Sequence, residues 1–91
     1  MSHRNVRRHT LKYKYGLTPE QVQLLWEQQN RRCAICFCPV ALLGQQTHID
    51  HDHATEVVRG LLCVNCNMGL GHFRDDPLIL RQAWCYLEKF R

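Results

Sequence analysis

Residues 1–16, MSHRNVRRHTLKYKYG, contain no acidic residue and no apolar core segment. The second absence removes what a secretory signal peptide or a membrane span requires, so a cytoplasmic chain with no membrane partner is expected. The first leaves Arg4, Arg7, Arg8, Lys12 and Lys14 unopposed, while the other seven basic and eight acidic residues nearly cancel. The excess positive charge sits in one arm. Such an arm suits a polyanion, because each neutralised phosphate releases condensed counterions; a solvated tail would have the same composition. No internal repeat, low-complexity segment or interdomain linker follows, so the chain divides into a basic arm, 1–16, and one domain, 17–91.

A domain of this size buries only roughly 60–65% of its unfolded surface, so help from a metal, disulfides or a partner is expected. The chain has six cysteines. In a reducing compartment they serve as thiolates rather than as a disulfide framework. Cys33 and Cys36 form one CxxC pair and Cys63 and Cys66 a second. Each pair bends the backbone so that its sulfurs face one point, and two pairs close a tetrahedral shell with no open position, which is the pattern of structural zinc. Binding of that zinc is coupled to folding. A redox CxxC would stand beside a βαβ pattern, which is missing. Cys38 is offset from the knuckle, and Cys85 is expected as a buried apolar thiol in the last helix.

The regular elements follow from caps and periodicity. Thr18, Pro19 and Gln21 begin a helix with a capping box, and Val22, Leu25, Trp26 and Gln29 recur at helical spacing, with Trp26 in the packing face. Strands around 46–50 and 56–60 would pair across HDHAT as a hairpin. From about Leu62 a helix carries Cys63, Cys66 and Asn67 near its start, before Gly69 and Gly71 weaken it. Asp76 caps a last helix with Pro77 next to it, and Leu80, Ala83, Trp84 and Leu87 give it an amphipathic face. The fold class is α+β, small and helix-rich.

The segment HIDHDH, residues 48–53, remains once sulfur has satisfied the zinc. His48, Asp50, His51, Asp52 and His53 cannot all be buried without partners, so the segment is a solvated loop or a site. A hard divalent ion such as magnesium takes oxygen ligands, and Asp50 and the amide of Asn67 offer them. A histidine beside that ion suits proton abstraction from water, and His51 is the candidate. Regular alternation would put Asp50 and His51 on opposite faces, so the strand is expected to leave regular geometry there.

Hairpin, His, helix and Asn in this order resemble the ββα-metal, or His-Me finger, fold of the HNH nucleases. CxxC, then HIDHDH, then VRGLLCVNCN resembles the phage recombination endonuclease VII family more closely, over about residues 17–87. The resemblance implies zinc at Cys33, Cys36, Cys63 and Cys66, a catalytic magnesium at Asp50 and Asn67 for which manganese can substitute, and His51 as general base. It implies auxiliary roles for His48 and His53 in positioning phosphate or assisting proton transfer. The implied activity is metal-dependent hydrolysis of DNA phosphodiesters. A monomer would nick double-stranded DNA; a homodimeric resolvase of branched DNA is the alternative, and a zinc-knuckle DNA-binding module without catalysis is a second. Leu70 stands where the family prototype has an acidic residue, three positions after the metal-binding Asn. Arg31, Arg32, Arg59 and Arg74 join the arm as candidate phosphate contacts.

Overall fold

The capping box forms as the sequence predicts: Gln21 N–H donates to Thr18 Oγ1 at 3.2 Å and Thr18 N–H to Gln21 Oε1 at 2.8 Å. Helix α1 (Pro19–Gln28) starts there. In this computed structural model residues 17–42 and 44–91 are described, so Arg4, Arg7, Arg8, Lys12 and Lys14 lie outside the described residues. The elements after α1 are strands β1 (Thr47–His51) and β2 (Val58–Cys63), then helices α2 (Val64–His72) and α3 (Pro77–Glu88). The architecture is the expected α+β, with the hairpin and α2 forming a ββα unit.

β1 and β2 pair antiparallel from Thr47 opposite Cys63 to Asp50 opposite Gly60, and then the register slips so that His51 faces Val58. Arg59 is left without a cross-strand partner. The extra residue is on β2, so it is β2 that the bulge bends, level with Asp50 and His51 of β1, where regular ladder geometry is expected to end. The tip is shaped by Asp52, whose Oδ1 accepts from Ala54 N–H at 2.8 Å and Thr55 N–H at 3.0 Å. Those two bonds, Thr55 first, hold its carboxyl below the usual range.

Val22 of α1 and Leu61 of β2 are fully buried, and Cys33, Leu62 and Cys63 complete the buried apolar set among the described residues. Cys33, Leu62 and Cys63 pack together, with Cys38, Val40, Cys66 and Leu70 against them, so this part of the core is built around the sulfurs of the CxxC pairs. Trp26 packs as expected, with Nε1 donating to Val40 O at 2.9 Å. Gln29 has a different role from its apolar neighbours on α1. Its Nε2 donates to Leu61 O at 3.0 Å and its Oε1 accepts from Leu61 N–H at 2.8 Å, as a strand backbone would.

Three expectations are corrected. β2 begins and ends later than 56–60, because pairing with Thr47 carries it to Cys63. α2 begins at Val64 rather than Leu62, because Cys63 is its N-cap and its sulfur accepts from Cys66 N–H. α2 carries Gly69 and Gly71 in its last turn and stops at His72, one residue after the second glycine. Cys85 is exposed rather than buried. The reason lies in α3 as a whole: it makes no extensive contact with another element among the described residues, and Trp84 and Leu87 are about two-thirds exposed, at 62% and 63%.

Candidate metal centre and hairpin cleft

The sulfurs of Cys33, Cys36, Cys63 and Cys66 all lie within 4.8 Å of one another. Cys36 Sγ and Cys63 Sγ are 3.7 Å apart. Sulfurs bound ~2.3 Å from a tetrahedral centre would stand ~3.8 Å apart, so the spacing fits zinc. The first knuckle is closed by Cys33 N–H to Cys38 O at 2.8 Å and Phe37 N–H to Cys33 O at 3.1 Å, with Phe37 left-handed at φ 64°. The second knuckle is the junction of β2 and α2, where Cys66 N–H reaches Cys63 Sγ at 3.4 Å.

Burial pushes the Cys33 thiol up, but N–H groups of Cys63, Cys36 and Ile35 outweigh it and bring it down to about 6. Cys63 is also lowered, first by the Cys66 N–H. Burial, with Cys63 next, raises Cys66. Cys38 is pushed up to about 12, first by Cys36, then by burial and Cys63. Its sulfur lies outside the four-sulfur group.

A cavity of about 380 Å³ is bordered by His48, Asp50, His51, His53, Asn67 and Asp75. β1 supplies His48, Asp50 and His51; the first turn of α2 supplies Asn67, one residue beyond Cys66. The sulfur cluster therefore fixes the origin of the helix that carries Asn67. The His51 and His53 rings meet edge to face, 5.0 Å between centroids. His48 Nε2 is buried without a hydrogen-bond partner among the described residues. The Asp50 side chain, 11% exposed, is gripped on both oxygens by Arg59: Nε to Oδ2 at 2.6 Å and a terminal nitrogen to Oδ1 at 2.9 Å. Asp50 first, with Asp75 also contributing, raises the Arg59 pKa.

The sequence-predicted residues are thus brought together in part. Asp50, His51, Asn67, His48 and His53 share the cavity, whereas Asp52 builds the turn. Among the arginines expected at phosphate, Arg31 pairs with Glu27 and lies 4.8 Å over the Trp26 ring, and Arg32 donates to Phe37 O at 2.9 Å. Arg74 borders an adjoining cavity of about 390 Å³ together with His53, Arg59 and Asp75. Asp75 escaped sequence reasoning. Its Oδ2 lies 3.3 Å from Arg59 and 3.7 Å from His53 Nε2, yet in RDDP only the second aspartate gives a signal, as a helix cap.

The chain is similar to several known proteins. The Gene 59 protein of Mycobacterium phage D29 is 42% identical over 76 residues, 82% of this chain and 46% of the relative. The Gene 59 protein of Mycobacterium phage L5 is 39% identical over 74 residues, 80% of this chain and 44% of the relative. The chain therefore spans just under half the length of these curated relatives. The structure of the ββα-Me type II restriction endonuclease Hpy99I is similar with a TM-score of 0.59 and 26% identity, covering 92% of this chain and 49% of that one. A family model described as recombination endonuclease VII matches residues 8–89. This chain belongs to the recombination endonuclease VII family.

Proposed function

We propose that this chain is a metal-dependent DNA endonuclease of the HNH type that hydrolyses phosphodiester bonds and nicks double-stranded DNA. The observation that carries the reading is the convergence of Asp50, His51 and Asn67 on one cavity at the bulged end of a hairpin. Zinc at Cys33, Cys36, Cys63 and Cys66 is structural, because four sulfurs leave no position for water or substrate.

The donors of the cleft fit a divalent ion. Asp50 supplies carboxylate oxygen and Asn67 amide oxygen, the hard ligands that magnesium or manganese selects. The carboxylate already attracts a cation, since Arg59 grips both its oxygens. When bound there, the ion would polarise the scissile phosphate and stabilise the leaving oxygen. The imidazole of His51 takes a proton from water, which then attacks phosphorus in line with that oxygen. His48 and His53 border the same cavity and orient phosphate or pass the proton on. Arg74 and the cations of residues 1–16 add affinity through phosphate without reading bases.

A supercoiled plasmid incubated with the zinc-loaded chain in magnesium, and separately in EDTA, tests the reading. Nicked circles in magnesium alone support it. Linear product would indicate paired cuts by two copies, and selective cleavage of a four-way junction would favour the resolvase. DNA retention without any cleavage would leave a zinc-knuckle binding module.

A further inference from the structure

Arg59 occupies the carboxylate that the proposed function gives to the divalent ion, and its role as inferred here rests on that reading of Asp50. Arg59 stands at the bulge, so no residue of β1 lies opposite it. Its planar guanidinium meets Asp50 through two donors, at 2.6 and 2.9 Å, a geometry in which an arginine satisfies both oxygens at once. One of those nitrogens also reaches Asp75 Oδ2 at 3.3 Å. The guanidinium is therefore shared between two carboxylates, held tightly by one and loosely by the other.

Asp75 is placed there by a costly piece of backbone. Arg74 and Asp75 are both left-handed, at φ 60° and 53°, a conformation unfavourable for residues bearing a Cβ. The turn is held by Arg74 N–H to Gly71 O at 2.9 Å and Asp75 N–H to Leu70 O at 2.8 Å. Its result is a second carboxylate, 23% exposed, beside the guanidinium that pairs with Asp50. A divalent ion at Asp50 would face that guanidinium as a like charge. Asp75 offers the displaced charge a partner already in contact.

We propose that Arg59 is a placeholder cation on Asp50, and that Asp75 is the positioning residue that receives Arg59 when a divalent ion takes the Asp50 carboxylate. Arg59 thereby competes with the ion, and Asp75 weakens that competition. The cleft keeps its carboxylates paired in either state.

Manganese binding by the zinc-loaded full chain without DNA, titrated by electron paramagnetic resonance, tests this apart from cleavage. Asp50→Asn is expected to lose manganese affinity by at least ~10-fold, the scale on which removing a ligand or its partner acts. Arg59→Met should tighten manganese ~10-fold and Asp75→Asn should weaken it several-fold, with most of the Asp75→Asn loss vanishing in the Arg59→Met background. If Arg59→Met fails to retain zinc, Arg59→Lys, which keeps the charge without the two-edged grip, should still bind manganese more tightly than the wild type. Unchanged or weaker binding in the Arg59 variants, with Asp50→Asn still defective, overturns the exchange and leaves Asp50 as a ligand. An equal Asp75→Asn loss in both backgrounds also overturns it, since Asp75 would then act on the ion directly. Undiminished binding by Asp50→Asn overturns both the exchange and the ligand assignment.

Discussion

Gln29 and Leu61, 32 residues apart, are joined by two hydrogen bonds in which the side-chain amide of one pairs with the backbone N–H and carbonyl of the other. Leu61 is fully buried, so water cannot replace either bond. The same amide donates to Arg32 O at 2.9 Å, which ties the first knuckle to the strand leading into the second. Gln29→Ala is expected to destabilise the zinc-loaded chain by ~1–3 kcal/mol, since it strands the buried Leu61 N–H, whereas Leu61 O keeps the Ala34 N–H at 3.1 Å. Chemical denaturation measures this directly; a change within ~0.5 kcal/mol would mean that the latch contributes no more than an ordinary surface residue.

Replacing one sulfur should do more. Cys63 is a member of the sulfur cluster, part of the buried core and the N-cap of α2. Cys63→Ser is expected to lose stoichiometric zinc and cooperative unfolding together, because structural zinc binding and folding are one equilibrium. Cys38→Ser, by contrast, should keep one zinc per chain, since its sulfur is outside the four-sulfur group. Zinc content by elemental analysis separates the two.

The hairpin tip gives a local prediction. Asp52 Oδ1 accepts two backbone N–H groups, so Asp52→Ala should loosen residues 52–57. Its signature is faster amide exchange at Ala54 and Thr55, with zinc retained. Unaltered exchange there would show that Glu56 N–H to Asp52 O, at 2.7 Å, suffices to hold the turn.

The arm cations give a prediction about salt. Neutralising Arg4, Arg7 and Arg8 together should weaken DNA binding at low salt and reduce the slope of log affinity against log salt by up to ~3, near one for each phosphate that the variant leaves un-neutralised. Fluorescence anisotropy across a salt series checks it. An unchanged slope would assign those residues to a solvated tail.

Much of this architecture is legible in the sequence. Thr18 and Asp76 announce their helices because a cap uses a local side-chain bond that the next few residues complete. The four cysteines announce one another because CxxC geometry is local, and only their meeting point needs the fold. An irregularity near Asp50 and His51 is expected only if both serve one site, since alternation alone sends neighbours to opposite faces, and the ladder does slip at that level. What stays hidden depends on partners distant in sequence. Nothing near Gln29 signals a partner 32 residues away, and a helical wheel places it on the apolar stripe. Arg59 reads as a surface cation until the bulge turns it onto Asp50. Asp75 reads as the neighbour of a cap until two left-handed residues bring it beside that same guanidinium. The apolar period of α3 is real, yet period alone does not say whether anything covers Trp84 and Leu87.

Cleavage by His51→Ala tests the nuclease reading most directly. The variant should be compared with the wild type under single turnover on supercoiled plasmid in magnesium, at equal zinc content and equal thermal stability. Loss of a general base is expected to slow nicking by at least ~10²-fold. Nicking at the wild-type rate, with zinc and fold intact, would contradict the assignment of His51 and the catalytic site built around it.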